Sequence, residues 1–188
     1  MPVILASKSP RRKELLEKCG IFFSCVPAEI EETLKDPSDL AGSLKDLSYR
    51  KARSVLQEHP GSLVIGSDTI VVCDGEVLGK PHDEQEAYEM LRKLSGRQHQ
   101  VMTGLCFISS ERTYTDVTVS DVYFQELTDE EIWDYIRSGE CMDKAGAYGI
   151  QGLGGRFITS IRGDFYSIMG LPVNLVYNEL KNIALYEK

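Results

Sequence analysis

The sequence predicts a mixed α/β fold, a mixed sheet flanked by helices. Three observations carry this. Short apolar runs of strand length alternate irregularly with helical periodicities, so strict βα repetition and a doubly wound Rossmann sheet are excluded. The composition, 42% hydrophobic and 27% charged, is that of an ordinary globular chain. At 188 residues the chain fits one domain of about 100–200 residues. Residues 1–188 are therefore read as a single domain with two lobes. Folding at this length buries about 70% of the extended-chain surface, so no disulfide or metal staple is required.

The elements follow in order. Residues 3–6 read as a short buried strand. Ser9 is placed to cap a helix with Pro10 at its first position, where a missing N–H costs nothing, and Gly20 stops it after about residue 19. Residues 22–26 are strand-like and 28–39 form an acidic loop. A helix over about 39–58 is marked by the spacing of Leu40, Leu44, Leu47, Lys51 and Val55. Residues 63–65 form a buried strand leading into Gly66-Ser67-Asp68-Thr69, and residues 70–73 and 76–78 flank Asp74-Gly75, a hairpin signal. Asp83 with Glu86 predicts a capping box for a helix ending at Gly96. Two strands follow near 99–109 and 114–125. Thr128 with Glu131 predicts another capping box, with Leu127 and Ile132 as a hydrophobic staple, on a helix ending near Gly139. Residues 143–155 are Gly-rich, 157–161 form a strand, and a helix from 171 to about 185 closes the chain.

The net charge of -8 excludes a general binder of nucleic-acid polymers, which carries a basic face. No apolar run approaches the roughly 20 residues of a membrane span, and residues 1–6 lack the order and length of a signal peptide. The five cysteines are odd in number and contain no CxxC, and the three histidines lack zinc-ligand spacing. Buried free thiols in a reducing cytoplasm are expected.

Four groups of residues carry chemistry. Ser7-Lys8-Ser9-Pro10-Arg11-Arg12-Lys13 collects cations and hydroxyls at a strand-to-helix junction, with no acid among them. Cations disfavour a helix start unless an anion compensates them, so the segment is either an oxyanion site or a solvated basic turn. Lys51 occupies an apolar stripe, either snorkelling to its edge or reaching into a cleft toward phosphate. Asp68 and Thr69 follow an apolar run, where α/β sheets place ligands, though a turn-forming Asp gives the same pattern. With Glu31 and Glu32 in a separate loop, they offer two sources of carboxylate for a Mg²⁺ that also touches phosphates. Gly79-Lys80-Pro81 lacks the spacing and hydroxyl of a Walker loop, and the glycines around Gln151 lack the Rossmann fingerprint. Gln151 could read the edge of a planar base, or the segment could be a tight structural turn. No Ser-His-Asp or Cys-His arrangement is legible, which favours a carboxylate base and metal-assisted water for any hydrolysis.

Leu5-Ala6-Ser7-Lys8-Ser9-Pro10-Arg11-Arg12 resembles the opening signature of the Maf-like nucleotide pyrophosphatases. The resemblance runs in order through Lys51-Ala52, Asp68-Thr69, Gly79-Lys80-Pro81, Leu94-Ser95-Gly96, the segment from Asp143 to Gly152 and Met169-Gly170-Leu171-Pro172. It implies two lobes around a nucleotide-binding cleft and hydrolysis of nucleoside triphosphates to monophosphate and pyrophosphate with a divalent metal, Mg²⁺ or Mn²⁺. Asp68 resembles the proton acceptor. Arg12, Thr69 and Gln151 resemble the positions setting base preference, in the combination of the branch acting on dTTP and UTP. Ser7, Arg11, Glu32, Lys51 and Lys80 resemble the remaining cleft residues, with Glu32 and Asp68 as metal ligands. Ser67 stands where Ala is commoner, and the adjacency of Glu31 and Glu32 leaves the register there open. The resemblance is compatible with a homodimer, for which the residues carry no signal.

The implied functional class is a house-cleaning enzyme for dTTP, UTP and modified pyrimidine nucleotides, with no membrane or nucleic-acid partner. A non-catalytic nucleotide sensor or partner-binding regulator of cell division is the alternative. Glu32 and Asp68 weigh against it, because carboxylates repel phosphate unless a metal lies between.

Overall fold

Residues 1–183 are described by the computed structural model of this chain. Among them seven strands form one mixed sheet: β1 (Val3–Leu5), β2 (Ser24–Cys25), β3 (Leu63–Cys73), β4 (Glu76–Leu78), β5 (Gln98–Ile108), β6 (Thr113–Phe124) and β7 (Ile158–Arg162). Their order is β2-β1-β3-β5-β6-β7, with β4 paired to β3. β1 runs parallel to β2 and β3, whereas the β3–β4 and β6–β7 pairs are antiparallel. The helices are α1 (Pro10–Glu17), α2 (Leu40–Glu58), α3 (Glu84–Leu94), α4 (Asp129–Arg137), α5 (Phe165–Met169) and α6 (Val173–Asn182). Short 3₁₀ turns occupy Ala145–Ala147 and Leu153–Phe157. The chain divides into two compact units. The first comprises Met1–Asp68, Thr103–Thr118 and the chain from Gly170, and the second Thr69–Met102 and Val119–Met169.

In the first unit, α2 lies on the sheet through one stripe: Leu44, Leu47, Ser48, Lys51, Ala52 and Val55 are all buried. Ala52 and Val55 share a core cluster with Ile4, Val64, Cys106 and Ile108. The helix can come this close because β3 and β5 present glycines beneath it. A Cβ at Gly66 would stand 2.3 Å from the Ser48 carbonyl oxygen and 2.9 Å from the Ala52 methyl. At Gly104 it would stand 2.7 Å from the Leu44 carbonyl. α1 begins as the sequence predicts: the Ser9 hydroxyl accepts from the Arg12 N–H at 3.3 Å, and Pro10 follows the cap. Leu15 and Leu16 are fully buried, and α1 packs against α6.

The second unit has its own core. Leu91 and Leu94 of α3, Ile132 and Ile136 of α4, and Val122, Phe124 and Phe157 belong to one buried cluster. Thr128 and Glu131 form the expected capping box, and Leu127 and Ile132 are both buried beside it. Asp74 and Gly75 both have positive φ, 51° and 79°, the pattern of a type I′ hairpin that sets Cys73 opposite Glu76. His99 of β5 is 2% exposed and packs edge-on to Phe124 and Tyr148, with its Nε2 2.7 Å from the Tyr148 hydroxyl.

Several expectations are corrected. The strands expected over 63–65 and 70–73 are one strand, continuous through 66–69, and its only interruption is in burial, at Asp68 and Thr69. The strand expected over 22–26 shrinks to Ser24–Cys25, because it pairs only with Ile4 and Leu5, and Phe22 is fully exposed. Asp83 caps α3 as expected, but the Glu86 carboxylate bonds the N–H and Nδ1 of His82 at 2.7 and 2.6 Å instead of closing a box. α5 is an unanticipated short helix. The closing helix starts at Val173, after Pro172, because the residue preceding proline disfavours helical backbone; the expected end near 185 lies outside the described residues. All five cysteines are free as expected, but Cys25 is exposed.

Two stability predictions follow from this packing. Gly66→Ala should cost about 1–3 kcal/mol, since the backbone oxygen above it cannot yield without moving α2. The urea midpoint should fall with an unchanged m value. The second concerns His99, whose pKa burial lowers from 6.5 to about 4. Between those values the unfolded chain holds the proton more strongly, so stability from this residue is intact above about pH 6.5 and is lost as pH falls toward 4. Wild type should lose about 2 kcal/mol more than His99→Phe between pH 7 and pH 5, measured by denaturant unfolding at both pH values. Equal losses in the two proteins would contradict this.

Candidate active site

In a strand, alternate residues face the same side. Val64, Gly66 and Asp68 therefore share the face of β3 on which α2 lies, and Asp68 meets Lys51 within the α2 stripe. The Lys51 Nζ donates to Asp68 Oδ1 at 2.5 Å and lies 2.8 Å from Glu32 Oε1. Its side chain is 6% exposed, against 15% for Asp68 and 59% for Glu32. Lys51 thus does not snorkel to solvent. It is a buried ammonium held by two carboxylates, one from a strand and one from a loop. An ammonium this desolvated is tolerable only with such partners.

The basic α1 start belongs to the same unit. Burial pulls the Arg12 guanidinium below its ordinary pKa, while Asp68 and then Glu32 draw it upward and Arg11 pushes it down. Arg12 therefore sits within electrostatic range of both carboxylates. Its Nε donates to the Gly170 carbonyl at 2.9 Å. The Ser67 hydroxyl bridges the Gly104 and Gly170 carbonyls at 2.8 and 3.1 Å, next to Asp68 in β3. Ser7 is buried, and its hydroxyl accepts from the Ser9 N–H at 3.1 Å, which shapes the turn into α1. Two carboxylates and the cations Arg11, Arg12 and Lys51 leave this group with a formal excess of positive charge, suited to an anion.

Thr69, Lys80 and Gln151 belong to the second unit. Thr69 is half-buried in β3, Lys80 is exposed after β4, and Gln151 is exposed between the two 3₁₀ turns. The segments that carry them meet inside the unit. The Gly146 N–H donates to the Gly79 carbonyl at 3.0 Å. Gly146 also packs on Val71, with room for no Cβ, since one would fall 2.9 Å from a Val71 methyl.

Glu140 was not singled out from the sequence, yet it organises the Gln151 segment. Its Oε1 accepts from the Tyr135 hydroxyl at 2.9 Å and the Gly154 N–H at 3.2 Å, and its Oε2 from the Leu153 N–H at 2.8 Å. The Tyr135 oxygen in turn accepts from the Gly149 N–H at 3.2 Å. Burial pushes the Glu140 carboxyl up, but the two backbone donors, Tyr135 and Lys144 together hold it below its ordinary pKa. The glycine cluster is thus a clamped turn, with a carboxylate gathering its amides.

Known proteins resemble this chain over nearly its whole length. Residues 2–183 match the model of the family described as Maf-like protein. A dTTP/UTP pyrophosphatase of Bacillus mycoides (strain KBAB4) is 50% identical over 182 residues, which cover 95% of this chain and 94% of that protein. A dTTP/UTP pyrophosphatase of Bacillus cereus (strain G9842) is 49% identical, covering 97% of this chain and 96% of its own length. One of Aquifex aeolicus (strain VF5) is 45% identical, covering 98% of this chain and 97% of its own. Identity at this level across both units, and not in one motif alone, means that the chain belongs to the Maf-like protein family.

Proposed function

We propose that this chain is a nucleoside triphosphate pyrophosphatase acting on dTTP, UTP and modified pyrimidine nucleotides, releasing the monophosphate and pyrophosphate. The observation that carries the reading is the contact of Asp68 and Glu32 with one buried ammonium, beside Arg12. The names of the relatives supply the substrate class. In this reading Asp68 accepts the proton from the attacking water. The water oxygen bonds to the α-phosphorus, and the bond from that phosphorus to the bridging oxygen breaks. Pyrophosphate leaves with the electron pair. Lys51 fixes the Asp68 carboxylate for this task, while Lys80, Arg11 and the Ser7 hydroxyl bind phosphate oxygens. Arg12, Thr69 and Gln151 set base preference. Among the described residues no helix is long and apolar enough to cross a membrane.

A divalent cation fits the donor chemistry. Glu32 and Asp68 are hard oxygen donors that already share one cation, the Lys51 ammonium, and among the described residues no group of three or more His, Cys, Asp and Glu is placed to hold a metal ion. An ion held by only two carboxylates takes its remaining ligands from phosphate and water, as Mg²⁺ commonly does. When bound it neutralises phosphate charge and makes a coordinated water more acidic.

Pyrophosphate release measured over a panel of nucleotides with Mg²⁺ or Mn²⁺ tests the reading. Asp68→Asn, whose amide oxygen still accepts from Lys51, should lower kcat by about 10²–10⁴ while circular dichroism stays unchanged; near-normal turnover would remove Asp68 from the chemistry. Gln151→Ala should shift the kcat/KM ratio of dTTP to a purine nucleoside triphosphate by about tenfold, the scale of one lost base-edge hydrogen bond. A uniform loss across all bases would rule out its role as a reader.

A further inference from the structure

Glu32 lies between β2 and α2 on a segment without regular structure, and its side chain is more than half exposed. A carboxylate in that setting keeps its place only if the backbone beneath it is fixed. Arg50 contacts that backbone on both sides of Glu32. Its Nη1 donates to the Glu31 carbonyl at 2.9 Å and its Nη2 to the Thr33 carbonyl at 2.5 Å. The remaining edge is held too: Nε donates to Asp46 Oδ2 at 2.7 Å, one turn earlier on α2. The other Asp46 oxygen accepts from Lys35 Nζ at 3.0 Å, from the far side of the loop. Burial pushes the Asp46 carboxyl up, but Lys35 and Arg50 bring it below its ordinary pKa, so it stays ionised as their shared anchor.

We propose that Arg50 is a positioning residue for Glu32. Consecutive residues of α2 serve one loop. Lys51 takes the Glu32 carboxylate, and Arg50 holds the main chain on either side of it. They project about 100° apart on the helix, so they grip from different directions. The guanidinium fork suits this work because its N–H groups are rigidly spaced, whereas a lysine offers one mobile ammonium. A plain surface ion pair would affect stability slightly and catalysis not at all. The inference rests on the reading of Glu32 as a working carboxylate.

The test compares wild type, Glu32→Gln, Arg50→Gln, Arg50→Lys and the Glu32→Gln/Arg50→Gln double variant. Pyrophosphate release from dTTP gives kcat and KM, and amide hydrogen exchange on the full chain reports residues 31–34. Glu32→Gln should lower kcat by about a hundredfold. Arg50→Gln should lower it by about tenfold with KM changed less than about threefold, since misplacement affects the reacting geometry more than substrate binding. In the Glu32→Gln background, Arg50→Gln should cost less than about twofold further, the non-additivity of residues acting through one another. Exchange at 31–34 should quicken in both Arg50 variants. If Arg50→Gln does not fold, Arg50→Lys decides. A kcat loss of about threefold that vanishes in the Glu32→Gln background supports the proposal. Wild-type kcat in the Arg50 variants, or losses that multiply in full in the double variant, would overturn it while leaving the Glu32 reading intact. A fully active Glu32→Gln would instead overturn the reading of Glu32 and the proposal with it.

Discussion

The first unit is organised around a buried positive charge. Lys51 is almost fully removed from solvent, and an isolated ammonium there would weaken the helix–sheet contact by its desolvation cost. Asp68 makes it tolerable, with Glu32 completing the coordination from outside. The requirement runs both ways, because Asp68 is a carboxylate in a strand whose other residues, apart from Thr69, are buried. Other features of the unit serve the meeting of α2 with β3. Gly66 and Gly104 remove side chains between helix and sheet, and Ser67 ties β3 to the Gly104 and Gly170 carbonyls on the face opposite Asp68. Deleting the Asp68 side chain would leave a buried charge without its close partner, which costs more than the pair contributes.

The two carboxylates reach the ammonium with different rigidity. Asp68 is borne by the middle of an eleven-residue strand and cannot shift without disturbing the sheet. Glu32 is borne by a loop whose main chain Arg50 holds, so only its longer side chain can adjust. This division suits the proposed chemistry, in which a proton acceptor needs a fixed direction and a metal ligand needs to follow its ion. The second unit uses the reverse device. The Gln151 segment lacks long regular elements, yet Glu140, itself on a turn, draws the Leu153 and Gly154 amides onto one carboxylate, and Tyr135 adds Gly149. Gln151, the proposed base reader, then rests on a stiffened support.

Much of the fold was legible because its signals are local. Ser9-Pro10 and Thr128 through Glu131 act within one helical turn, and Asp74-Gly75 within one hairpin. The site was legible to the extent that residues stood against local preference: Arg11 and Arg12 at a helix start, Lys51 on an apolar stripe. What the sequence could not convey was which partner resolves each conflict. No spacing rule joins Lys51 to Glu32 or Asp68, and the choice between a snorkelling and a buried lysine depends on tertiary contacts alone. The extent of β3 was misjudged for a related reason. Gly66-Ser67-Asp68-Thr69 reads as a turn by composition, but pairing with its neighbours keeps it extended. Arg50 and Glu140 left no signal, since an exposed-looking charge beside a stripe or after a helix is ordinary until its hydrogen bonds are seen.

The net charge of -8 bears on this arrangement. A net negative charge opposes the approach of long polyanions, and salt screens that repulsion beyond about 8–10 Å. A short polyanion need satisfy only the local field. Around Lys51 that field is set by Arg11, Arg12 and two carboxylates that partly cancel them. Removing the carboxylates would strengthen the attraction for phosphate, so their presence costs binding. That cost is intelligible if they act on the bound anion, by directing a water or holding a cation, and has no counterpart in a protein that merely retains a nucleotide. The opposition between Asp68 and the cations around it is therefore the feature that most separates catalysis from sensing in this chain.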